Sequence, residues 1–162
     1  MIKYIKGNIL KVSATALVNP VNCVGVMGRG LALTFKQNFP WMFKEYQEVC
    51  KDRNLYFGKL HVYEIKADMA LTLSKIFGVN FVFKPRYIIN FPTKYHWKDK
   101  SNLQDIRIGL LALKEQIEEL KLESIAIPPL GCGLGGLSKK EVFSVIEEIL
   151  GDTKSMILIF DT

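Results

Sequence analysis

Cysteine is scarce in this chain, and its pattern excludes two architectures. Cys23, Cys50 and Cys132 form an odd set with no Cys-x-x-Cys. Neither a disulfide framework nor a structural zinc site is expected, and a reducing cytoplasm is the expected compartment. Long apolar runs are missing too. No stretch approaches the ~18 residues that cross a bilayer, and Met1-Ile-Lys-Tyr-Ile-Lys-Gly7 has no signal-peptide layout, so no membrane partner is expected. The two histidines, His61 and His96, supply no ligand set for a metal. No metal or other cofactor is expected. Acidic residues are outnumbered, 16 against 22 lysines and arginines, for a net charge of +6. That balance favours an anionic ligand or a polyanion. Internal repeats and low-complexity segments are absent.

What is present points to one folded unit. The chain has 162 residues, 49% of them hydrophobic, with ten Phe, six Tyr and two Trp. This suits a single domain over 1–162 with a sizeable core, and it excludes disorder. A monomer is the expected state. The pattern predicts strands at Ile2–Ile5, Ala16–Asn19, Leu60–Ile65, Arg86–Asn90, Ser124–Pro128 and Met156–Phe160. The near-continuous apolar character of several predicts burial on both faces. From Leu31 to Cys50 the period is helical, and Pro40 divides it in two. Ser101 is read as the N-cap of a helix to Leu120, with Leu103, Ile106, Leu110, Leu113 and Ile117 inward. Ser138 with Glu141 is read as a capping box opening a helix to about Leu150, where Gly151 stops it. Lys66 to Lys84 is read as a hairpin or two short strands. The expected class is α/β, with helices on both faces of a mixed, largely parallel sheet.

Three loops carry the chemistry. Asn90-Phe-Pro-Thr-Lys-Tyr-His-Trp-Lys-Asp-Lys100 follows a buried strand, and Pro92 ends its ladder. It presents Thr93, Lys94, Tyr95, His96 and Trp97 at a strand end, where ligands bind in open α/β sheets. A lysine between aromatic rings is readily pushed to a lower pKa. Pro20-Val-Asn22-Cys-Val-Gly25-Val-Met-Gly28-Arg-Gly30 and Pro129-Leu-Gly131-Cys-Gly133-Leu-Gly135-Gly136 each run from a strand into a helix. Such helix starts offer unpaired amides to a diphosphate. Neither loop has a Walker or Rossmann fingerprint.

Gly7-Asn8-Ile9, Val18-Asn-Pro-Val-Asn22, Gly25-Val-Met-Gly28-Arg-Gly30-Leu31-Ala-Leu-x-Phe35 and Ile127-Pro-Pro-Leu-Gly131-Cys-Gly133-Leu-Gly135-Gly136 resemble the macrodomain, an ADP-ribose-binding α/β module. The resemblance is to the branch that contains the terminal ADP-ribose glycohydrolase. Asn90-Phe-Pro-Thr-Lys94-x-His96-Trp97 resembles the bacterial antitoxins of that branch, which remove ADP-ribose from DNA. The resemblance runs nearly end to end and implies a three-layer α/β/α macrodomain. It implies that Asn8 and Ile9 meet the adenine, and that Asn22, Gly28, Arg29, Gly30 and Leu31 meet the distal ribose. Pro129, Leu130, Gly131, Cys132, Gly133, Leu134 and Gly135 would meet the diphosphate. Lys94 would be the catalytic nucleophile on the anomeric carbon, through a ring-opened adduct. Thr93, Tyr95, His96, Trp97 and Lys98 would position substrate or contact DNA. The implied partners are ADP-ribose, ADP-ribosylated DNA and a DNA-modifying ADP-ribosyltransferase toxin.

Two departures bear on specificity. Asn8 stands where most of the family has aspartate, so it is a weaker acceptor for an adenine amine. Gly135 stands where the protein-acting relative has aspartate, which points to DNA as the target. Other readings stay open at this level: a non-catalytic ADP-ribose reader, a nucleic-acid binder using Lys84 to Lys100, and a hydrolase of ADP-ribosylated protein or O-acetyl-ADP-ribose. Without the resemblance Lys94 reads as a solvated surface lysine; Asn19 reads as a turn brace, Asn22 as a distal-ribose contact or a turn brace, and Cys132 as a small filler. His61 reads as structural. A stand-alone module and an excised domain both fit the end at Asp161-Thr162.

Overall fold

The computed structural model describes residues 1–65, 72, 75–76 and 85–161. Among the described residues six strands form one sheet: β1 (Ile2–Ile5), β2 (Ala16–Val21), β3 (His61–Glu64), β4 (Tyr87–Pro92), β5 (Ser124–Ile127) and β6 (Met156–Phe160), in the order β1-β6-β5-β2-β4-β3. Every neighbouring pair is parallel except β3 with β4. It is flanked by α1 (Gly30–Asn38), α2 (Pro40–Lys51), α3 (Leu103–Glu119) and α4 (Lys139–Leu150).

The sheet is covered on both faces, as its apolar strands require. Ala16, Val18, Ile89, Phe91, Ile125, Ile127, Ile157 and Ile159 face a core shared with Ile106, Leu110, Leu113 and Ile117 of α3 and Val142 and Ile146 of α4. Their neighbours Leu17, Val21, Ile88, Ala126, Leu158 and Phe160 face the opposite core, with Phe35 of α1 and Met42, Tyr46 and Cys50 of α2. The alternation along each strand puts α3 and α4 on one side and α1 and α2 on the other. This is the three-layer α/β/α arrangement expected from the sequence. Gly109 lets α3 sit close to β4: a Cβ there would lie 2.4 Å from Cζ of the buried Phe91 ring.

Several local readings are corrected. Asn102, not Ser101, caps α3, its Oδ1 accepting from Gln104 N at 2.8 Å. The Ser101 amide instead donates to Gly135 O at 3.0 Å, so the chain is still held in the loop when Ser101 is reached. Ser138 precedes α4 but its hydroxyl makes no capping bond. Strand β2 runs on through Pro20 to Val21, paired to Phe91 and Pro92; both prolines fall at strand ends, where lost donors cost least. Strand β3 needs no correction: His61 and Tyr63 share its buried face, and Val62 and the exposed Glu64 lie on the other, with Glu64 paired to Arg86 at 3.1 Å. The hairpin expected between Lys66 and Lys84 lies almost wholly outside the described residues. Of that stretch only Thr72, Lys75 and Ile76 are described, and they are helical.

Candidate active site

Because β1, β6, β5, β2 and β4 are mutually parallel, their carboxyl ends share one edge. The chain finishes the β3–β4 side of β2 and then crosses to β5 on its other side. A strand-order reversal of this kind opens a crevice at the carboxyl edge. The loops that follow β5, β2 and β4 stand side by side there.

The loop after β2 is braced from within. Asn22 Oδ1 accepts from Val24 N at 3.1 Å and Val26 N at 3.4 Å, and its Nδ2 donates to Val26 O at 2.7 Å. Tyr46 OH, fully buried in α2, donates to Asn22 O at 2.8 Å and lies 2.9 Å from Asn22 Oδ1. The Asn22 amide thus shapes the turn. Beyond it, the amides of Gly28, Arg29, Gly30 and Leu31 donate to no group among the described residues, and Arg29 leads into α1 with no side-chain cap. Unpaired donors at a helix start, with its positive dipole end, suit an anion or a ring of hydroxyls.

The loop after β5 is closed by its own amides: Cys132 N to Pro129 O, Gly136 N to Gly133 O and Leu137 N to Gly131 O, at 3.2, 3.1 and 2.9 Å. Gly131 takes φ +72° to make this turn, a conformation that costs an L side chain. Three successive amides, of Gly133, Leu134 and Gly135, remain without an acceptor among the described residues. Such a row is an anion-binding concavity. Gly135 is closely packed: a Cβ there would lie 2.2 Å from Ser101 Oγ and 2.5 Å from Gly131 O. Since the second atom is backbone, no side chain fits at Gly135 while this loop keeps its shape. Cys132 lies in the loop with Sγ 3.5 Å from Leu130 O, and burial raises its thiol pKa. That disfavours a thiolate nucleophile. Leu130 and Ile9 are core residues, so only their backbone faces the edge.

The lysine segment bridges these loops. Thr93 N donates to Val21 O at 2.9 Å, extending the ladder one residue past Pro92. Cys23 N donates to Tyr95 O at 2.7 Å, and Cys23 Sγ reaches Lys94 O at 3.7 Å. At its far end, Lys100 Nζ reaches Leu134 O at 3.4 Å. Lys94 is half-buried between these anchors. It is not sandwiched by rings: its Nζ lies 3.4 Å from Trp97 O and 3.3 Å from Asp99 O. Burial, and then the charge of Lys100, hold its pKa below the usual lysine range, with Asp99 opposing them. A short turn fixes the rest, His96 N donating to Asp99 Oδ2 and Asp99 N to His96 O, both at 2.9 Å. His96 Nδ1 accepts from Lys98 N at 3.2 Å. His96 lies against the Trp97 ring, centroids 5.1 Å apart, and Lys98 Nζ sits 5.0 Å from that ring's centroid.

Beneath the crevice runs a polar chain that periodicity does not reveal. Glu45 Oε1 meets His61 Nε2 at 2.9 Å, His61 Nδ1 meets Asn90 Nδ2 at 2.9 Å, and Asn90 Oδ1 accepts from Asn19 Nδ2 at 2.9 Å. It ties α2 to β3, β4 and β2 just below Lys94. The Asn pair was visible only as two residues directly opposite in register.

Asn8 follows β1, three strands from β2 at the same edge. Its Oδ1 caps the 3-10 turn Ile9–Lys11, accepting from Leu10 N at 2.9 Å.

The comparisons with known proteins agree with this geometry. The Macro domain family matches residues 18–146. A protein named DNA ADP-ribosyl glycohydrolase from Thermus aquaticus is 41% identical over 150 residues, which cover 93% of this chain and 38% of that protein. The solved macrodomain of Mycobacterium tuberculosis DarG superposes with a TM-score of 0.87 at 38% identity, covering 100% of this chain and 98% of that one. Thermosipho africanus DarTG, solved in complex with ADP-ribose, gives a TM-score of 0.86 at 31% identity, covering 98% of this chain and 41% of that one. The chain therefore spans well under half the length of the Thermus aquaticus and Thermosipho africanus proteins. With its sheet order, its two amide-lined loops and this family match over most of its length, the chain belongs to the Macro domain family.

Proposed function

We propose that this chain is an ADP-ribosyl glycohydrolase that removes ADP-ribose from nucleobases in DNA, with Lys94 as its nucleophile. The observation that carries the reading is the order of parts along the carboxyl edge: Asn8 after β1, the free amides of Gly133 to Gly135 after β5, the Asn22–Gly30 loop after β2, and Lys94 after β4. Three strand spacings separate β1 from β2, roughly 14 Å. An extended adenine, diphosphate and distal ribose fit that sequence of sites, and Lys94 then stands beyond the ribose. The DNA ADP-ribosyl glycohydrolase name of the Thermus aquaticus relative supports the substrate class, as does the ADP-ribose complex of the Thermosipho africanus protein.

In this mechanism the amides of the two loops hold the nucleotide, and water is excluded as it settles. Neutral Lys94 Nζ attacks the anomeric carbon of the distal ribose; the N–C bond forms as the glycosidic bond to the base breaks. The departing base takes up a proton. The ribosylamine opens to an imine, and water then hydrolyses it, releasing ADP-ribose and restoring the amine. A depressed lysine pKa serves the first step, since only the uncharged amine is nucleophilic. A transferase that places ADP-ribose on a DNA base must supply this substrate.

The test is turnover on ADP-ribosylated single-stranded DNA by wild type and Lys94→Ala, with borohydride added to trap the imine. Loss of turnover in the variant, and a borohydride-dependent mass gain on Lys94 in wild type, are expected. Undiminished release by Lys94→Ala overturns the reading. Tight ADP-ribose binding with no turnover in wild type would favour a reader instead.

A further inference from the structure

Tyr56 plays no part in the sequence reading, yet it stands at the lip of the crevice. It lies before β3, whose His61 pairs with Asn90. The 56–59 segment therefore flanks the chain that leaves β4. Tyr56 N donates to Lys59 O and Lys59 N to Tyr56 O, at 3.5 and 2.9 Å, and Gly58 turns between them at φ +81° against Ile108. This closed turn holds the Tyr56 ring 5.9 Å from the Tyr95 ring, edge to face. Tyr95 is fixed in turn by the Cys23 bond to its carbonyl. Both rings stay open to solvent, 53% and 48% exposed.

Two rings held side by side with an open outer surface offer a platform on which another flat group can stack. Phe57 backs the Tyr56 ring, centroids 4.8 Å apart, and the outer surface of the pair stays open; Trp97, 49% exposed, carries His96 and Lys98 against its own ring. Lys59 closes the turn that carries Tyr56, and Lys94, Lys98 and Lys100 belong to the segment that carries Tyr95; none of the four forms an ion pair among the described residues. Open aromatic faces among unpaired cations match one kind of polymer, an anionic backbone with free π-faces.

We infer that Tyr56 and Tyr95 form a stacking ledge for an unpaired nucleotide next to the modified one, so that the chain selects single-stranded nucleic acid. A base inside a duplex has both faces covered by its neighbours and cannot use the ledge. A peptide does not repeat one negative charge and one flat face at every unit, as a nucleic acid strand does. The inference rests on the glycohydrolase reading for its purpose, though not for its test.

The experiment measures binding of an unmodified, fluorescein-labelled mixed-sequence oligonucleotide, single-stranded and as a duplex, to wild type, Tyr56→Ala and Tyr56→Phe. Wild type is expected to prefer the single strand. Tyr56→Ala should raise its Kd about 5- to 50-fold, with the duplex Kd, the Tm and ADP-ribose affinity unmoved. Tyr56→Phe keeps the ring face and should match wild type. Equal loss on both DNA forms, or no loss on either, overturns the ledge, and so does a wild type that prefers duplex. Turnover on modified DNA separates the two ideas. If wild type binds through Tyr56 but releases no ADP-ribose, the glycohydrolase reading fails and the ledge stands. If wild type turns over and Tyr56→Ala changes neither Kd nor KM, the ledge alone fails.

Discussion

A single amine carries the proposed chemistry, and its surroundings make a signed prediction. Burial and Lys100 lower the Lys94 pKa, and Asp99 raises it. If the neutral amine is the reactive form, kcat/KM falls as pH drops through that lowered pKa. Lys100→Ala removes a neighbouring positive charge, so the Lys94 pKa rises and the acid limb moves to higher pH. Asp99→Asn removes the opposing negative charge, and the limb moves to lower pH. The asparagine keeps an acceptor for His96 N, so the turn survives. Opposite displacements in the two pH profiles are expected; displacement in the same direction, or none, contradicts the assignment. Gly135 makes a second residue-scale prediction. Gly135→Ala forces a Cβ against Ser101 Oγ and Gly131 O, and the loop must move to relieve it. With strain of about 1–3 kcal/mol, ADP-ribose affinity by calorimetry should fall roughly 5- to 150-fold. Trimming Ser101 should not rescue it, because Gly131 O remains.

Among elements, the contact of α3 with β4 aims the lysine segment. Phe91 is fully buried three residues before Lys94, and Gly109 is the notch that admits its ring. Gly109→Ala places a methyl 2.4 Å from Phe91 Cζ. Its better helix propensity recovers about 1 kcal/mol, but overpacking costs about 1–3 kcal/mol. Urea unfolding should therefore show net destabilisation or, at best, none; a clearly more stable variant would mean that α3 yields easily. The Glu45–His61–Asn90–Asn19 chain works at the same scale, fastening α2 and three strands under the crevice. It gives the buried His61 its partners on one face of β3, while Leu60 and Val62 on the other face pack against the core under α3 and α4.

For the whole molecule, the net charge of +6 becomes meaningful through placement. Lys98 and Lys100 lie in the segment that bridges the two loops, and Lys59 flanks it. If these lysines neutralise DNA phosphates, log Kobs for single-stranded DNA declines linearly with log salt. Lys98→Ala should lower the slope by about 0.7, while binding weakens alike across sequences. An unchanged slope would take Lys98 off the phosphate path.

The sequence by itself determined the class, the strands and most helix bounds. Local periodicity and punctuation carry them: apolar runs at Ala16–Asn19 and Ser124–Pro128, the Pro40 break, the Gly151 stop. It also disclosed the two glycine loops and Lys94, because ordered motifs survive without knowledge of what they touch. Tertiary structure decided the rest, since it brings together residues that no spacing relates. Ser101 looked like a helix cap, and became the bond to Gly135. Lys94 looked ring-bound, and instead points at the carbonyls of Trp97 and Asp99 beside Lys100. Asn19 and Asn90 meet only because β2 and β4 pair in that register, and Tyr56 reaches Tyr95 only because β3 runs antiparallel to β4. A side chain's local propensity is written in its neighbours along the chain, but its pKa, its partner and its ligand depend on neighbours in space.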